Sequence, residues 1–139
     1  MRGLVLVFAA LLASPAAAQN PNYGAVWQNP SGSVHIRVDR CGDEPCGRMA
    51  WANERAIADS ARGGHPDPIG MVIVDQLRAD GENRWRGRVF APDMNRHFSG
   101  TVTLTSETEA RVRGCALGRT LCRSQTWTRV SAPPATTAR

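Results

Sequence analysis

The chain has 139 residues, among them seventeen Arg, no Lys and twelve Asp or Glu, for a formal charge of +5. That length holds a single domain. Past the N-terminal segment no stretch approaches the roughly 18 apolar residues of a membrane-crossing helix, which excludes a transmembrane anchor of that kind.

Residues 1–18 read as a secretory signal peptide: Arg2, an apolar run from Leu4 to Leu12, then Ala16-Ala17-Ala18 before Gln19. Gln19 stands where a lipoprotein would need Cys, so the expected product is soluble and exported, periplasmic or secreted. Segments with two-residue alternation then recur about every ten residues, the signature of an all-β chain. Gly24 to Gln28 opens, Asn29-Pro30-Ser31-Gly32 turns, and Ser33 to Asp39 alternates Val34, Ile36 and Val38 against His35, Arg37 and Asp39. Gly47 to Ala52 carries Met49 and Trp51 on one face and Arg48 on the other. Residues 53–68 break the rhythm: Asn53 to Arg62 is Ala-rich and predicts a short helix, and Gly63 to Pro68 cannot be a strand interior. Ile69 to Leu77 is apolar on both faces, Met71 and Ile73 against Val72 and Val74, and needs a cover, for which Ala56, Ile57 and Ala61 are nearest. Arg84 to Phe90 sends Trp85, Gly87 and Val89 inward and Arg84, Arg86 and Arg88 outward. Phe98 to Leu104, Glu109 to Gly114 and Arg123 to Val130 complete the series, and Ser131 to Arg139 reads as a disordered tail.

About eight short strands joined mostly by tight turns predict a small up-and-down antiparallel β-barrel over residues 19–130, with one short helix or irregular segment on its outside. A two-sheet sandwich would need more long crossings than the single one present. A barrel of this size either fills with side chains or holds one small ligand.

Cys41, Cys46, Cys115 and Cys122 form an even set in an exported chain, which predicts two disulfides. Short separations favour Cys41–Cys46 and Cys115–Cys122, with cross-pairing the open alternative. Zinc prefers thiols two to four residues apart in an enclosed knuckle, and separations of four and six in an oxidising space favour bridges instead; a redox couple would want Cys-x-x-Cys, which neither pair shows.

Gly24-Ala25-Val26-Trp27 with Asn29-Pro30, Cys41-Gly and Cys46-Gly-Arg ending in Trp51, Val89 to Met94, Val112 to Cys115, and Ser124 to Val130 together resemble the bacterial family called domain of unknown function 2147. The resemblance runs from about residue 24 to 130, and the Gln-Thr-Trp-Thr-Arg run at its end is its most specific part. It implies an exported, lipocalin-like (calycin-like) barrel, with no reaction or ligand to carry over. Many members lack cysteines at the two turns, and the stretch before Gly70 departs from the commoner Asn-Pro-Asp pattern, so no role of that loop carries over. The lipocalin likeness implies that Trp27 closes one barrel end with Arg129 packed on it, although the spacing here is Gly-x-x-Trp rather than Gly-x-Trp.

Trp51, Trp85 and Trp127 are the candidate cavity aromatics, core packing being the alternative fate of each. No catalytic constellation is visible. His35 and His97 fall on outward faces, His65 sits in a Gly-Pro loop, and Ser99 near His97 lacks any nucleophile elbow. Asp75, inside an apolar strand, reads as a hydrogen-bonded structural carboxylate. Metal-ligating His clusters are absent, and no cofactor or enzymatic activity is expected. Nucleic acid is not an expected partner of an exported chain without interleaved basic and aromatic readers. The expected function is a binding module for a small apolar or amphipathic molecule. The alternative is an envelope interaction protein whose outward Arg84, Arg86 and Arg88, with Arg111 and Arg113, contact anionic lipid or polysaccharide.

Overall fold

A computed structural model describes residues 21–117 and 120–131. The expected signal segment, and the expected tail beyond Ser131, lie outside these described residues. The elements are β1 (Val26–Gln28), β2 (Val34–Cys41), β3 (Glu44–Ala52), α1 (Glu54–Arg62), β4 (Val72–Ala79), β5 (Arg84–Ala91), β6 (Arg96–Leu104), β7 (Glu109–Ala116) and β8 (Leu121–Val130). Each strand pairs antiparallel with the next, and β8 returns to β1 to close the barrel. Closure leaves no open edge, the reason this pattern of short strands favours a barrel.

The turns follow their residues. Gly42, with φ of 65°, and Asp43 make a two-residue connection between paired Cys41 and Glu44, so the first cysteine loop is itself the tip of the β2–β3 hairpin. Two disulfides are present, Cys41–Cys46 and Cys115–Cys122, the local pairing that the spacing favours. The second joins residues directly opposite each other on β7 and β8.

Three interruptions break the simple alternation. On β3, Ile36 pairs with Met49 but His35 pairs with Trp51, so Ala50 is an extra residue. On β4, Gly47 faces Val74 while Arg48 faces Val72, which turns both Ile73 and Val74 toward the interior. Further along, Gln76 and Leu77 together oppose Gly87, with Gln76 at φ 53°. Such bulges shift every later side chain to the other face. An ideal Cβ on Gly87 would lie 2.5 Å from the Asp75 carbonyl oxygen, so only glycine admits this bulge.

The bulge at Ile73 also resolves the strand that reads as apolar on both faces. Ile73 and Val74 both point inward, so the outside of β4 needs no apolar cover. Helix α1 covers the end of the barrel instead: Ala56 and Ile57 pack on the buried cluster of Ile36, Met49, Ala52 and Ile73, whereas Ala61 is exposed. The helix begins at Asn53, whose side chain accepts from the Ala56 N–H at 2.9 Å. It ends at Gly63, which lies against the backbone of Pro92 and Asp93 at the β5–β6 tip. Buried Ser60 donates to the His65 carbonyl at 2.7 Å and fixes the loop that follows. At the opposite end a second cluster joins Ala25, Trp27 and Ala110 with Val38, Val102 and Leu104, and Trp127 touches both clusters.

Candidate functional site

Between the two clusters lies an interior cavity of about 110 Å³. Apolar side chains line it from all eight strands: Trp27 on β1, Ile36 and Val38 on β2, Cys46 on β3, Ile73 and Leu77 on β4, Trp85 on β5, Val102 on β6, Val112 on β7 and Trp127 on β8. Trp27 and Trp85 are 7% and 6% exposed, so their indoles form fixed walls. Trp127 is half-buried, and its Nε1 donates to Gln125 Oε1 at 3.1 Å on the same strand face. Pro21 and Pro45 lie at the end of the cavity remote from α1.

Of the three tryptophans expected in a cavity, Trp85 and Trp127 line it and Trp51 does not. The extra residue Ala50 turns Trp51 outward, where its ring sits 5.0 Å from that of His35. Trp27 takes the vacant role. It stands opposite Arg129 in the β1–β8 register, as packing at one barrel end requires, but Arg129 is exposed. The arginine–ring contact recorded among the described residues is Arg40 over Tyr23 at 4.5 Å. Val74 is the lining residue that alternation hides, because nothing in the sequence marks the irregularity where β4 passes Gly47 and Arg48.

The polar residues lie outside this cavity. His35 is 3% exposed, its Nε2 donates to Gln28 Oε1 at 2.9 Å, and burial pushes its pKa below the ordinary value. Arg37 forks onto Asp39 at 2.8 Å through two nitrogens, and chiefly this bonding holds the Asp39 carboxyl below the usual carboxylate range. Asp75 points out of the barrel and receives Arg88 at 3.0 and 2.7 Å, a hydrogen-bonded structural carboxylate. The bond to Asp75 raises the Arg88 pKa further. His65 bonds to Asn95 Oδ1 at 2.9 Å and meets Phe90 edge-on, while His97 packs against the same ring. Ser99 faces Arg88 and Cys115 across the sheet rather than forming a recorded bond with His97. Among the described residues no three His, Cys, Asp or Glu side chains come together as a metal site. Nor is any described helix long and apolar enough to cross a membrane.

Fold and cavity together define a class: a small closed up-and-down β-barrel, apolar within, with arginine, serine and threonine along the outside of β5 to β8. A family model described as an uncharacterized protein conserved in bacteria, DUF2147, matches residues 25–129, and the chain belongs to that family. Its span runs from the first buried residue of the β1 segment to the penultimate residue of β8, which is the whole closed barrel. A search of the curated proteins and of the solved structures finds no match to the chain.

Proposed function

We propose that the chain is an exported binding module that holds a small apolar molecule, or the apolar end of an amphipathic one, inside the barrel. The observation that carries this reading is the 110 Å³ cavity walled by three tryptophans and aliphatic side chains. A space of that size fits a group on the order of ten non-hydrogen atoms, and its apolar walls offer no hydrogen bonds that water could use. Burying about 150–250 Å² of an aromatic ring contributes roughly 4–6 kcal/mol, a Kd of about 0.05–1 mM. Export is supported by the two disulfides, which persist in oxidising compartments, and by the signal-like pattern of residues 1–18.

Calorimetric titration with toluene and with 1-octanol tests the reading. Saturable binding in that range is expected, and Val112→Phe or Leu77→Phe, each filling the cavity from a different strand, should weaken it at least tenfold. Circular dichroism checks that each variant keeps its strands. Absence of binding by the parent chain, or unchanged binding in both folded variants, overturns the proposal.

A further inference from the structure

The outer wall carries a second feature that is independent of the cavity. Strand β6 presents Ser99, Thr101 and Thr103 outward, and its register sets them between two rows of arginine. Thr103 has Arg84 on one side and Arg111 on the other; Thr101 has Arg86 and Arg113. The two rows are two strand spacings apart, about 10 Å, and successive rungs along a row are about 7 Å apart. Short hydroxyl side chains between long guanidinium side chains make a trough of about 640 Å³, bounded at one end by the Cys115–Cys122 bridge.

The two walls differ in how their charge is used. Asp80 takes Arg86 at 3.1 Å and Arg84 at 3.7 Å, and Asp75 takes Arg88 at 2.7 Å. These pairs hold the β5 wall in place. On β7 no ion pair engages Arg111 or Arg113 among the described residues. Glu109 occupies the next outward position of β7 beyond Arg111, so the trough is acidic at one tip and cationic along its length. With four lining arginines against Asp80 and Glu109, it keeps an excess of positive charge.

We propose that this trough is a binding site for a linear acidic polysaccharide bearing carboxylates. Guanidinium forks donate two parallel hydrogen bonds to a planar carboxylate, and a row of hydroxyls between them matches the hydroxyl-rich edge of a sugar chain. A chain lies along a trough. A membrane surface is flat and would meet the projecting arginine tips while leaving Ser99, Thr101 and Thr103 without partners, so the polysaccharide is the occupant the geometry favours.

The test uses a linear oligogalacturonate as probe, titrated into the purified chain at low and at high salt. Binding should weaken with salt and should fall about tenfold or more in Arg111→Gln/Arg113→Gln. Arg55→Gln/Arg96→Gln removes the same charge from exposed positions outside the trough and should leave affinity nearly unchanged. Arg111→Lys/Arg113→Lys keeps the charge without the fork and should lie between. Val112→Phe, which blocks the cavity, should not alter oligogalacturonate binding, so the two proposals fail separately. The site is overturned by no binding of the probe, by equal losses in the two Gln doubles, or by binding confined to anionic phosphatidylglycerol vesicles.

Discussion

His35 is buried against Trp51 with its Nε2 committed to Gln28, and its Nδ1 has no partner among the described residues. Protonating that nitrogen would place a charge where no acceptor waits, which is why burial lowers the pKa. A folded-state pKa below the unfolded value contributes stability that is fully present above about 6.5 and is lost as pH falls below it. Melting temperature should therefore drop as pH falls from 7 toward 5, and His35→Phe, which keeps a ring beside Trp51, should flatten that slope. An equal slope in the variant would remove His35 as the cause. Asp39 acts lower on the scale: its depressed carboxyl contributes stability above about 4 that disappears as acid protonates it. At this scale the sequence is legible where composition sets chemistry. Even, closely spaced cysteines in an exported-type chain point to the two bridges, whereas the burial of an outward-facing imidazole depends on Trp51 turning outward beside it.

Among the elements, alternation places most inward residues correctly, as Trp85 and Val89 on β5 and Val102 and Leu104 on β6 all line the interior. It fails where a bulge intervenes. Trp51 after Ala50, and Val74 after Ile73, each take the face opposite to the one that a strict two-residue period assigns. Bulges arise from backbone pairing across strands, which a single segment does not encode. The connection over 53–68 is legible as a helix and a cover, but its target is not: the helix lies on the barrel end because Gly63 allows the chain against the β5–β6 tip. A Cβ on Gly63 would fall 1.9 Å from the Pro92 carbonyl oxygen and 2.7 Å from the backbone of Asp93. Neither is a flexible side chain that can move aside. Gly63→Ala should cost about 1–3 kcal/mol, lowering the melting temperature by roughly 5–15 °C. Faster amide exchange in α1 should accompany the loss. A melt and exchange pattern like the parent's would mean that the helix does not depend on this approach.

For the whole molecule, the weak point of closure is the seam at β1. Both disulfides lie within single hairpins, so neither crosses from β8 to β1, and each contributes only about 2 kcal/mol by restricting a short loop. Strand β1 is three residues long, against eight to ten for the strands on either side of it. What holds it is burial: Ala25, Val26 and Trp27 are each 6–7% exposed. Local opening should therefore begin there, and amides of residues 24–28 should exchange faster than those in the middle of β5 and β6. The proposed ligand couples to this opening, because Trp27 on β1 and Trp127 on β8 wall the same cavity from the two sides of the seam. An opened seam releases the ligand. Toluene at ten times its measured Kd should then slow exchange at residues 24–28 by about tenfold. The Asp80–Asn83 turn, which opens without disturbing the cavity, should exchange at its former rate. Hydrogen exchange read by mass spectrometry, with calorimetry confirming occupancy, decides the matter. An unchanged seam in a toluene-saturated protein would place the bound molecule elsewhere than between these two tryptophans.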